Sequence, residues 1–253
     1  NKALTGLRNL GNTCFMNSVI QCLVNTAPLS MFFVQGQYRY AINQYNKDGT
    51  GGEVAEEYGE LVSALWLRGY KSLSPGYFKQ SIAKFAPQFA GTSQHDCQEF
   101  CSYLLDGLHE DLNIVTKKEY IEHPNLDRFS DVEAGRMMWD LHIRRNKSIV
   151  QNLFHGQLKS TIKCRTCNYE SKSFDPFTFL SLSVPARSST TLDSLLRQFT
   201  AAELVSGADS WMCPKCKASR EAVKTISTWK LPKVLIVHLK RFYYEGPFRS
   251  KLN

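Results

Sequence analysis

The first half of the chain carries apolar side chains at the spacing of helices. Between residues 13 and 25 they recur every three or four positions, which predicts a helix that begins almost at Cys14. The same spacing predicts four further helices, over 53–69, 75–86, 93–112 and 131–146. The N-terminal half is therefore expected to be helical.

Polar residues mark the starts of two of these helices. Ser74 is expected to cap the helix that follows it, with Pro75 at the first helical position, where proline is favoured. Ser93 and Asp96 have the spacing of a capping box at the start of the helix over 93–112.

The second half of the chain changes to the period of strands. Apolar and polar residues alternate over 154–164, and 177–182 continues in the same style. A short helix is expected at 191–199 behind Thr190, and 234–239 is almost continuously apolar, as in a buried strand. Helices followed by strands predict the α+β fold class.

Composition and charge narrow the class of protein. Of the 253 residues 43% are hydrophobic and 21% charged, as in a folded domain. The net charge of +8 comes from dispersed basic residues, so it is interpreted as a solvated surface, with nucleic-acid binding a minor alternative. No apolar run reaches the roughly 18 residues of a membrane span, and a signal-peptide pattern is absent. We therefore expect a soluble, intracellular protein.

Four of the eight cysteines form two C-x-x-C pairs, Cys164 with Cys167 and Cys213 with Cys216. Four thiolates form a closed tetrahedral site for structural zinc, which indicates a reducing compartment such as the cytosol or nucleus. The 168–212 segment between the pairs is long and is expected to form a loop or subdomain of its own. A redox-active C-x-x-C is the alternative, but neither pair has a thioredoxin-like βαβ pattern around it.

Cys14 has the position of an activated nucleophile. A cysteine in the first turn of a helix is stabilised as a thiolate by the partial positive charge and the free N–H groups there. Residues 11–13 offer a tight turn, and the amide of Asn9 can donate a hydrogen bond to an oxyanion. On these features alone, a cysteine packed in the core, as we expect for Cys22, Cys97 and Cys101, is the commoner case.

Three segments resemble motifs of the ubiquitin-specific proteases. Residues 6–21, GLRNLGNTCFMNSVIQ, resemble the cysteine box of that family over more than a dozen positions. Residues 93–100, SQHDCQEF, resemble its second block, written around Gln-x-Asp-x-x-Glu-Phe. Residues 231–242, LPKVLIVHLKRF, resemble a further block. The resemblance runs from Leu4 to Leu252, and the chain is identified as a member of this family of ubiquitin carboxyl-terminal hydrolases.

The resemblance implies roles for the cysteine box. Cys14 would be the nucleophile of a papain-like cysteine peptidase, and Asn9 would donate from its side chain to the oxyanion. The backbone N–H of Cys14 would be a second donor, and Asn12 would help to shape the oxyanion hole.

The second block is expected to bind the tail of ubiquitin. That tail is extended and carries arginines ahead of two glycines, so its channel requires carboxylates. Asp96 and Glu99 lie three positions apart on one helix face, which suits this role, and Gln94 belongs to the same block. Asp96 could instead only complete the capping box with Ser93, or serve in both ways.

Two histidines within these motifs are not expected to be catalytic. His95 would be an exposed residue at a helix start, and His238 a core residue of an apolar strand. The family places its general base in a Gly-His-Tyr block, and the sequence has no Gly-His dipeptide. We therefore expect the family domain to continue for about a hundred residues beyond this chain.

The resemblance also implies an architecture. It is the α+β, papain-like fold of ubiquitin-specific proteases, with the palm incomplete in this chain. Residues 1–150 would form a helical thumb with the catalytic cysteine, 151–230 the zinc-ribbon fingers and 231–253 the start of the palm sheet. Residues 52–57 and 105–112 look closest to an endosome-associated branch of the family.

The expected function is thiol-dependent hydrolysis of isopeptide bonds at the C-terminal glycine of ubiquitin. The partners would be ubiquitin and ubiquitinated proteins, and the zinc would be structural. The protein would be cytoplasmic, nuclear or endosome-associated. Two alternatives stay open: a catalytically incomplete fragment that binds ubiquitin, and a zinc-ribbon protein that binds nucleic acid, whose binding would depend strongly on salt.

Overall fold

The computed structural model describes residues 4–118, 120–185, 189–245 and 248–251, with side chains up to residue 241. The chain divides into two compact units. One, the helical unit, comprises Asn1–Glu119 and Arg144–Leu153, and the other, the sheet unit, comprises Tyr120–Ile143 and Phe154–Asn253. The predicted boundaries at residues 150 and 230 differ from the bounds of these two compact units. The assignment of thumb, fingers and palm stays a prediction.

Helices dominate the helical unit. They are α1 (Cys14–Val24), α2 (Ala27–Val34), α3 (Tyr38–Ala41), α4 (Glu53–Leu67), α5 (Gly76–Phe85) and α6 (Cys97–Asp111). Two short strands, β1 (Gly6–Leu7) and β2 (Ser72–Leu73), pair in parallel, and Pro87–Phe89 is a 3-10 turn. Two more helices, α7 (Asp131–Arg145) and α8 (Ile149–Phe154), have residues in both units.

The predicted helices are confirmed, but two of their starts are wrong. The helix predicted at 75–86 begins at Gly76, with Pro75 as its N-cap, and no side chain, Ser74 included, caps it. The helix predicted at 93–112 begins at Cys97. Asp96 is itself the N-cap, because its backbone is extended and its Oδ1 accepts from the backbone N–H of Gln98 at 2.8 Å. The capping box with Ser93 is therefore wrong.

No single helix among the described residues is long and apolar enough to cross a membrane. Together α1 and α2 have the length and composition of a membrane span, but the pair is bent by 85° at the junction.

Aromatic rings pack beneath the start of α1. The ring of Phe15 lies 5.9 Å from that of Phe89 and 5.6 Å from that of Phe100. The rings of Phe89 and Phe100 are 5.4 Å apart. All three side chains are buried. Because Phe15 directly follows Cys14, this packing fixes the first turn of α1 and the place of residue 14.

The end of α6 is joined to the start of α4 by a buried carboxylate. Asp111 has no exposed surface. Its carboxylate accepts from the backbone N–H and the hydroxyl of Thr50, both at 2.6 Å, and from the backbone N–H of Ala55 at 3.2 Å. Because Ala55 lies in the first turn of α4, the negative charge also faces the positive end of that helix.

His109 joins α6 to the segment between α7 and α8. Its Nδ1 lies 2.7 Å from Ser148 Oγ, and its Nε2 lies 3.1 Å from Asn146 Oδ1. The second contact requires an N–H on Nε2, so a neutral ring that accepts at Nδ1 from Ser148 satisfies both partners. Burial of His109 lowers its pKa, because the charged ring loses hydration.

The sheet unit consists mainly of strands. In chain order its elements are β3 (Gly156–Cys164), β4 (Glu170–Phe177), β5 (Phe179–Ser183), α9 (Leu192–Phe199), β6 (Glu203–Val205), β7 (Trp211–Cys213), β8 (Ala218–Arg220), β9 (Ala222–Lys230), β10 (Ile236–Lys240), β11 (Phe242–Glu245) and β12 (Phe248–Lys251). An antiparallel sheet has the order β4, β3, β9, β6, while β5 and β10 pair in parallel. The pairs β7 with β8 and β11 with β12 are antiparallel.

The predicted strands and the helix at 191–199 are present with adjusted bounds, but the strand predicted as buried over 234–239 is half-exposed. The cap of α9 is Thr191 and not Thr190, since the Thr191 hydroxyl oxygen accepts from the backbone N–H of Ser194 at 3.2 Å. The prediction of a core His238 is wrong. Its side chain is half-buried and lies 3.2 Å from Ser181 Oγ, because β10 is only partly covered in this unit.

In the sheet unit α7 packs against β9 with no room for a side chain on Gly135. A Cβ at this position would clash with the edge of the Trp229 indole, at its Nε1. The backbone carbonyl of Gly135 accepts from the side-chain amide of Gln157, which is buried, at 3.1 Å. At the start of α7, Asp131 forms ion pairs with Lys159 and Lys172 of the sheet. The hydrogen bond from Lys159 holds the pKa of Asp131 below its usual value.

Replacement of Gly135 by alanine should destabilise the protein. Overpacking against Trp229 costs about 1–3 kcal/mol, against a gain of about 1 kcal/mol in helix propensity. The matched control is Gly107→Ala in α6, where the added Cβ would make an ordinary contact of 3.7 Å with Val54. Urea unfolding should show a loss for Gly135→Ala and a neutral or stabilising effect for Gly107→Ala. Equal effects of the two substitutions would contradict the packing argument.

We also expect stability to decrease in mild acid through His109. The ordinary pKa of about 6.5 applies to the unfolded chain, and the folded pKa is lower. As the pH falls, the unfolded state therefore binds the proton first. The contribution of His109 to the free energy of unfolding is therefore fully present above about pH 6.5, and it is lost as the pH falls towards the folded pKa. In His109→Gln, which does not titrate, the urea midpoint should vary less with pH in this range than in the wild type. Parallel profiles would show that His109 makes no such contribution.

Candidate functional site

Cys14 occupies the first position of α1 and is exposed. The residues on either side are buried: Thr13 is the N-cap, and Phe15 packs in the core. Its thiol is thus presented to solvent by a fixed turn of helix, and the interpretation of Cys14 as a core cysteine is wrong. Cys22 and Cys97, expected in the core, are exposed as well. Cys22 lies beside the buried stripe of α1, and Cys97 is the first residue of α6, whereas Cys101 is buried as predicted.

The nucleophile turn, residues 9–13, is held by the side-chain oxygen of Asn9. The backbone N–H groups of Gly11 and Thr13 donate to Asn9 Oδ1 at 3.0 Å each, and the Thr13 hydroxyl donates at 3.1 Å. The backbone N–H of Leu10 in turn donates to Thr13 Oγ1 at 2.9 Å. Since the carbonyl half of the Asn9 amide faces the turn, its NH₂ group is the half that remains for an acceptor outside the turn.

Two consecutive residues of this turn have left-handed backbones, Gly11 with φ 97° and Asn12 with φ 53°. Glycine adopts this conformation without steric cost, and asparagine adopts it more readily than most residues. The side chain of Asn12 is directed at the loop before α6, where its Nδ2 donates to the Thr92 carbonyl at 2.8 Å. The amide expected to shape the oxyanion hole is thus engaged with Thr92.

The residues of the predicted tail site lie at the start of α6. Asp96 is half-buried and caps the helix, and Glu99 is exposed in the first turn. Gln94 is exposed in the extended segment before the cap. The structure thus places the three predicted residues within one short stretch, with the Asp96 cap fixing the direction in which the segment enters the helix.

His95 is half-buried, so the expectation of an exposed histidine is wrong. Its ring lies edge-on to Phe15 at 5.2 Å and to Phe89 at 5.0 Å. Its Nε2 is buried and has no hydrogen-bond partner in the part of the chain that the structure describes. The ring is therefore packed as part of the aromatic cluster under Cys14.

The four cysteines of the two C-x-x-C pairs form one cluster. All the sulfur atoms of Cys164, Cys167, Cys213 and Cys216 lie within 4.8 Å of one another, and those of Cys167 and Cys213 are 3.6 Å apart. A tetrahedral zinc ion with Zn–S bonds of about 2.3 Å would separate its sulfurs by about 3.8 Å. The cluster therefore fits a metal ion with four thiolate ligands.

Each C-x-x-C pair forms the same type of turn. The backbone N–H of Asn168 donates to the Cys164 carbonyl at 3.1 Å, and that of Lys217 donates to the Cys213 carbonyl at 2.8 Å. Both residues are left-handed, with φ 56° and 53°. The turns curl backbone N–H groups around the sulfurs, as when the Cys216 N–H approaches Cys213 Sγ at 3.4 Å. Such donors stabilise thiolates.

Without a metal, the pKa values of Cys164 and Cys216 are shifted in opposite directions. A hydrogen bond from the Cys167 backbone lowers the pKa of Cys164 to about 6. Contact with the Cys167 side chain raises the pKa of Cys216 to about 12. Four adjacent thiolates repel one another, so full deprotonation requires a cation among them.

Sequence reasoning missed an aromatic pair beside this cluster. The rings of Tyr169 and Trp211 are stacked, with centroids 6.3 Å apart and planes at 4°. The hydroxyl of Tyr169 donates to Asp127 Oδ2 at 2.9 Å. The only signal in the sequence is positional: Tyr169 follows Cys167 by two residues, and Trp211 precedes Cys213 by two.

Comparisons with known proteins show which family this chain is similar to. The profile of the family described as ubiquitin carboxyl-terminal hydrolase matches residues 5–253. Ubiquitin carboxyl-terminal hydrolase 32 of Homo sapiens is 52% identical over 184 residues, which are 73% of this chain and 12% of that protein. Ubiquitin carboxyl-terminal hydrolase 2 of Homo sapiens is 40% identical over 254 residues, which cover 99% of this chain and 42% of that protein. The chain thus spans less than half the length of either relative.

Solved structures show the same fold. The SAGA Ubp8/Sgf11/Sus1/Sgf73 DUB module bound to ubiquitin aldehyde matches with a TM-score of 0.73 at 24% identity, over 99% of this chain and 50% of that chain. The module bound to monoubiquitin also gives 0.73, at 25% identity, over 99% and 51%. The predicted α+β fold of ubiquitin-specific proteases is confirmed. With its cysteine box at the start of α1 and its cluster of four cysteines, this chain belongs to the ubiquitin carboxyl-terminal hydrolase family.

Proposed function

We propose that this chain is the nucleophile-bearing part of a deubiquitinase that hydrolyses isopeptide bonds at the C-terminal glycine of ubiquitin. The observation that carries the proposal is the exposed thiol of Cys14 at the start of a helix whose next residues are buried. Membership of the hydrolase family and the preorganised Asn9 amide support it.

In this reaction the Cys14 sulfur attacks the carbonyl carbon of the terminal glycine. The oxyanion accepts hydrogen bonds from Asn9 Nδ2 and from the backbone N–H of Cys14, which lies at the open end of α1. The C–N bond breaks, a proton passes to the leaving amine, and water then hydrolyses the thioester. The proton carrier would be the histidine of the Gly-His-Tyr block, which has no match in this sequence.

The tail of ubiquitin would pass the start of α6. The exposed carboxylate of Glu99 would bind an arginine of the tail, and Asp96 would add charge of the same sign while it caps the helix. Gln94, exposed just ahead of the cap, would bind the extended backbone of the tail through its amide. Ubiquitinated proteins are then the substrates.

The cysteine cluster would hold a structural zinc ion. Four sulfurs leave a tetrahedral ion no open position for water or substrate, so it stabilises the sheet unit and takes no part in hydrolysis. Metal-bound thiolates persist in a reducing compartment. This supports the cytoplasm as the location of the protein, with the nucleus and endosomes as further sites. The cysteine cluster supports the role of zinc-ribbon fingers for the sheet unit.

Cys14→Ser in the full-length protein should abolish covalent capture by ubiquitin that carries a C-terminal electrophile. A serine hydroxyl is a far weaker nucleophile than a thiolate in the same place. The control is Cys22→Ser, which removes an equally exposed thiol from the same helix and should label at the wild-type rate. Capture by Cys14→Ser at the wild-type rate would remove Cys14 from the role of nucleophile.

Asn9→Ala and Asn9→Asp should separate the two halves of this side chain. Each lacks the oxyanion donor, so each should lower kcat by about a hundredfold or more with little change in the affinity for ubiquitin. Aspartate keeps the oxygen that the turn uses, whereas alanine also loses the hydrogen bonds to that oxygen, which are worth about 1 kcal/mol each. Steady-state kinetics and thermal unfolding test both statements. Weaker binding at an unchanged kcat would make Asn9 a structural residue.

Metal analysis of the purified protein should find one zinc ion per chain. Replacement of Cys164 and Cys167 together by serine should release it and loosen residues 168–212, which hydrogen exchange can measure. Affinity for folded ubiquitin should fall, while Cys14 stays reactive towards a small thiol reagent. The paired control, Cys22→Ser with Cys97→Ser, also removes two thiols and should retain the metal. A folded wild-type protein with no zinc would refute the assignment.

A further inference from the structure

The loop before α6, residues 90–96, touches the nucleophile turn at Thr92. Asn12 Nδ2 donates to the Thr92 carbonyl at 2.8 Å. Beside this contact, a Cβ on Gly11 would come within 3.1 Å of Thr92 Cγ2. The turn and the loop therefore meet closely, with a directed hydrogen bond at the point of contact.

The loop is anchored at its two ends by other groups. At its start, the ammonium group of Lys79 on α5 donates to the Gly91 carbonyl at 2.7 Å. At its end, the ring of His95 packs against Phe15 and Phe89. Residues 91–94 between these anchors are exposed, so burial does not fix them. Among the described contacts, the hydrogen bond from Asn12 is the one that holds the centre of the loop.

We propose that Asn12 is a positioning residue for the substrate tail and not an oxyanion donor. This inference rests on the proposed function. By holding Thr92, the side chain of Asn12 fixes the loop that carries Gln94 at a set distance from the turn that carries Asn9. The tail site and the oxyanion donor are then placed relative to each other before substrate binds. The Asn12 amide already has an acceptor in the Thr92 carbonyl.

The left-handed backbone of Asn12 makes a specific test possible. Glycine is the residue best suited to a φ of 53°, so Asn12→Gly removes the donor without straining the turn. Asn25→Gly is the matched control. The side chain of Asn25 likewise donates from an exposed Nδ2 to a backbone carbonyl, that of Gln21, at 2.8 Å at the other end of α1.

In the full-length protein, Asn12→Gly should raise KM for ubiquitin with a C-terminal fluorophore about three- to tenfold, the range expected for one net hydrogen bond. The kcat should stay within about twofold of the wild type, because no group on the reacting atoms is lost. Backbone amides of residues 90–96 should exchange faster while those of α1 do not change. The thermal midpoint should not fall. Asn25→Gly should leave the kinetics and the exchange of the loop unchanged.

A reduced kcat at an unchanged KM would overturn the proposal and make Asn12 an oxyanion donor. Wild-type kinetics in Asn12→Gly would overturn it as well, since the contact would then position nothing. If the proposed function itself is wrong, the wild-type protein will not turn over the ubiquitin substrate, and this result is distinct from either outcome for Asn12→Gly. That result would remove the role in tail binding whatever the exchange of the loop shows.

Discussion

The helical unit depends on one buried charge, the carboxylate of Asp111. A carboxylate with no exposed surface is tolerated only where donors replace its hydration, and here Thr50 and Ala55 supply them. The interaction joins the end of α6 to the start of α4. The start of α6 carries the predicted tail site, and the aromatic cluster of Phe15 and Phe100 joins α6 to the helix of Cys14. Both functional segments thus take their places from helices that Asp111 helps to fix.

Within the nucleophile turn, Asn9 and Asn12 use opposite halves of their side-chain amides. Asn9 directs its oxygen inward, where three donors hold it, and keeps its NH₂ group for a partner outside the turn. Asn12 directs its NH₂ group at a neighbouring loop. The difference follows from backbone conformation, because Asn12 lies in a left-handed position and Asn9 does not. One short turn thus orients the hydrogen-bond donor of Asn9 and, through Asn12, holds the loop before α6.

The sequence predicted the change from helices to strands, the long helices and the position of Cys14, because apolar periodicity and motif spacing are local properties, but it missed short elements such as α2, α3, α8, β1 and β2. It also predicted that the four cysteines would meet. It did not predict that Cys22 and Cys97 are exposed, because Cys22 lies one position off the buried stripe of α1 and Cys97 is the first residue of α6. The caps at Ser93 and Thr190 were wrong because a neighbouring polar residue, Asp96 or Thr191, holds the N-cap position, and the cap at Ser74 was wrong because no side chain caps α5. Contacts between distant segments, such as Asn12 with Thr92 or Tyr169 with Trp211, leave no periodic signal.

The cysteine cluster has a consequence for how the main sheet acquires its register. Cys164 is the last residue of β3, and Cys213 and Cys216 come shortly before β9, whose Ala222 pairs with Cys164. A metal ion held by both pairs would link the ends of these strands across a loop of some forty residues, a closure worth roughly 4 kcal/mol of chain entropy. A slip of one residue between β3 and β9 would turn every side chain to the opposite face. By fixing one end of the pair of β3 and β9, the metal would exclude such a slip and set the register of the sheet.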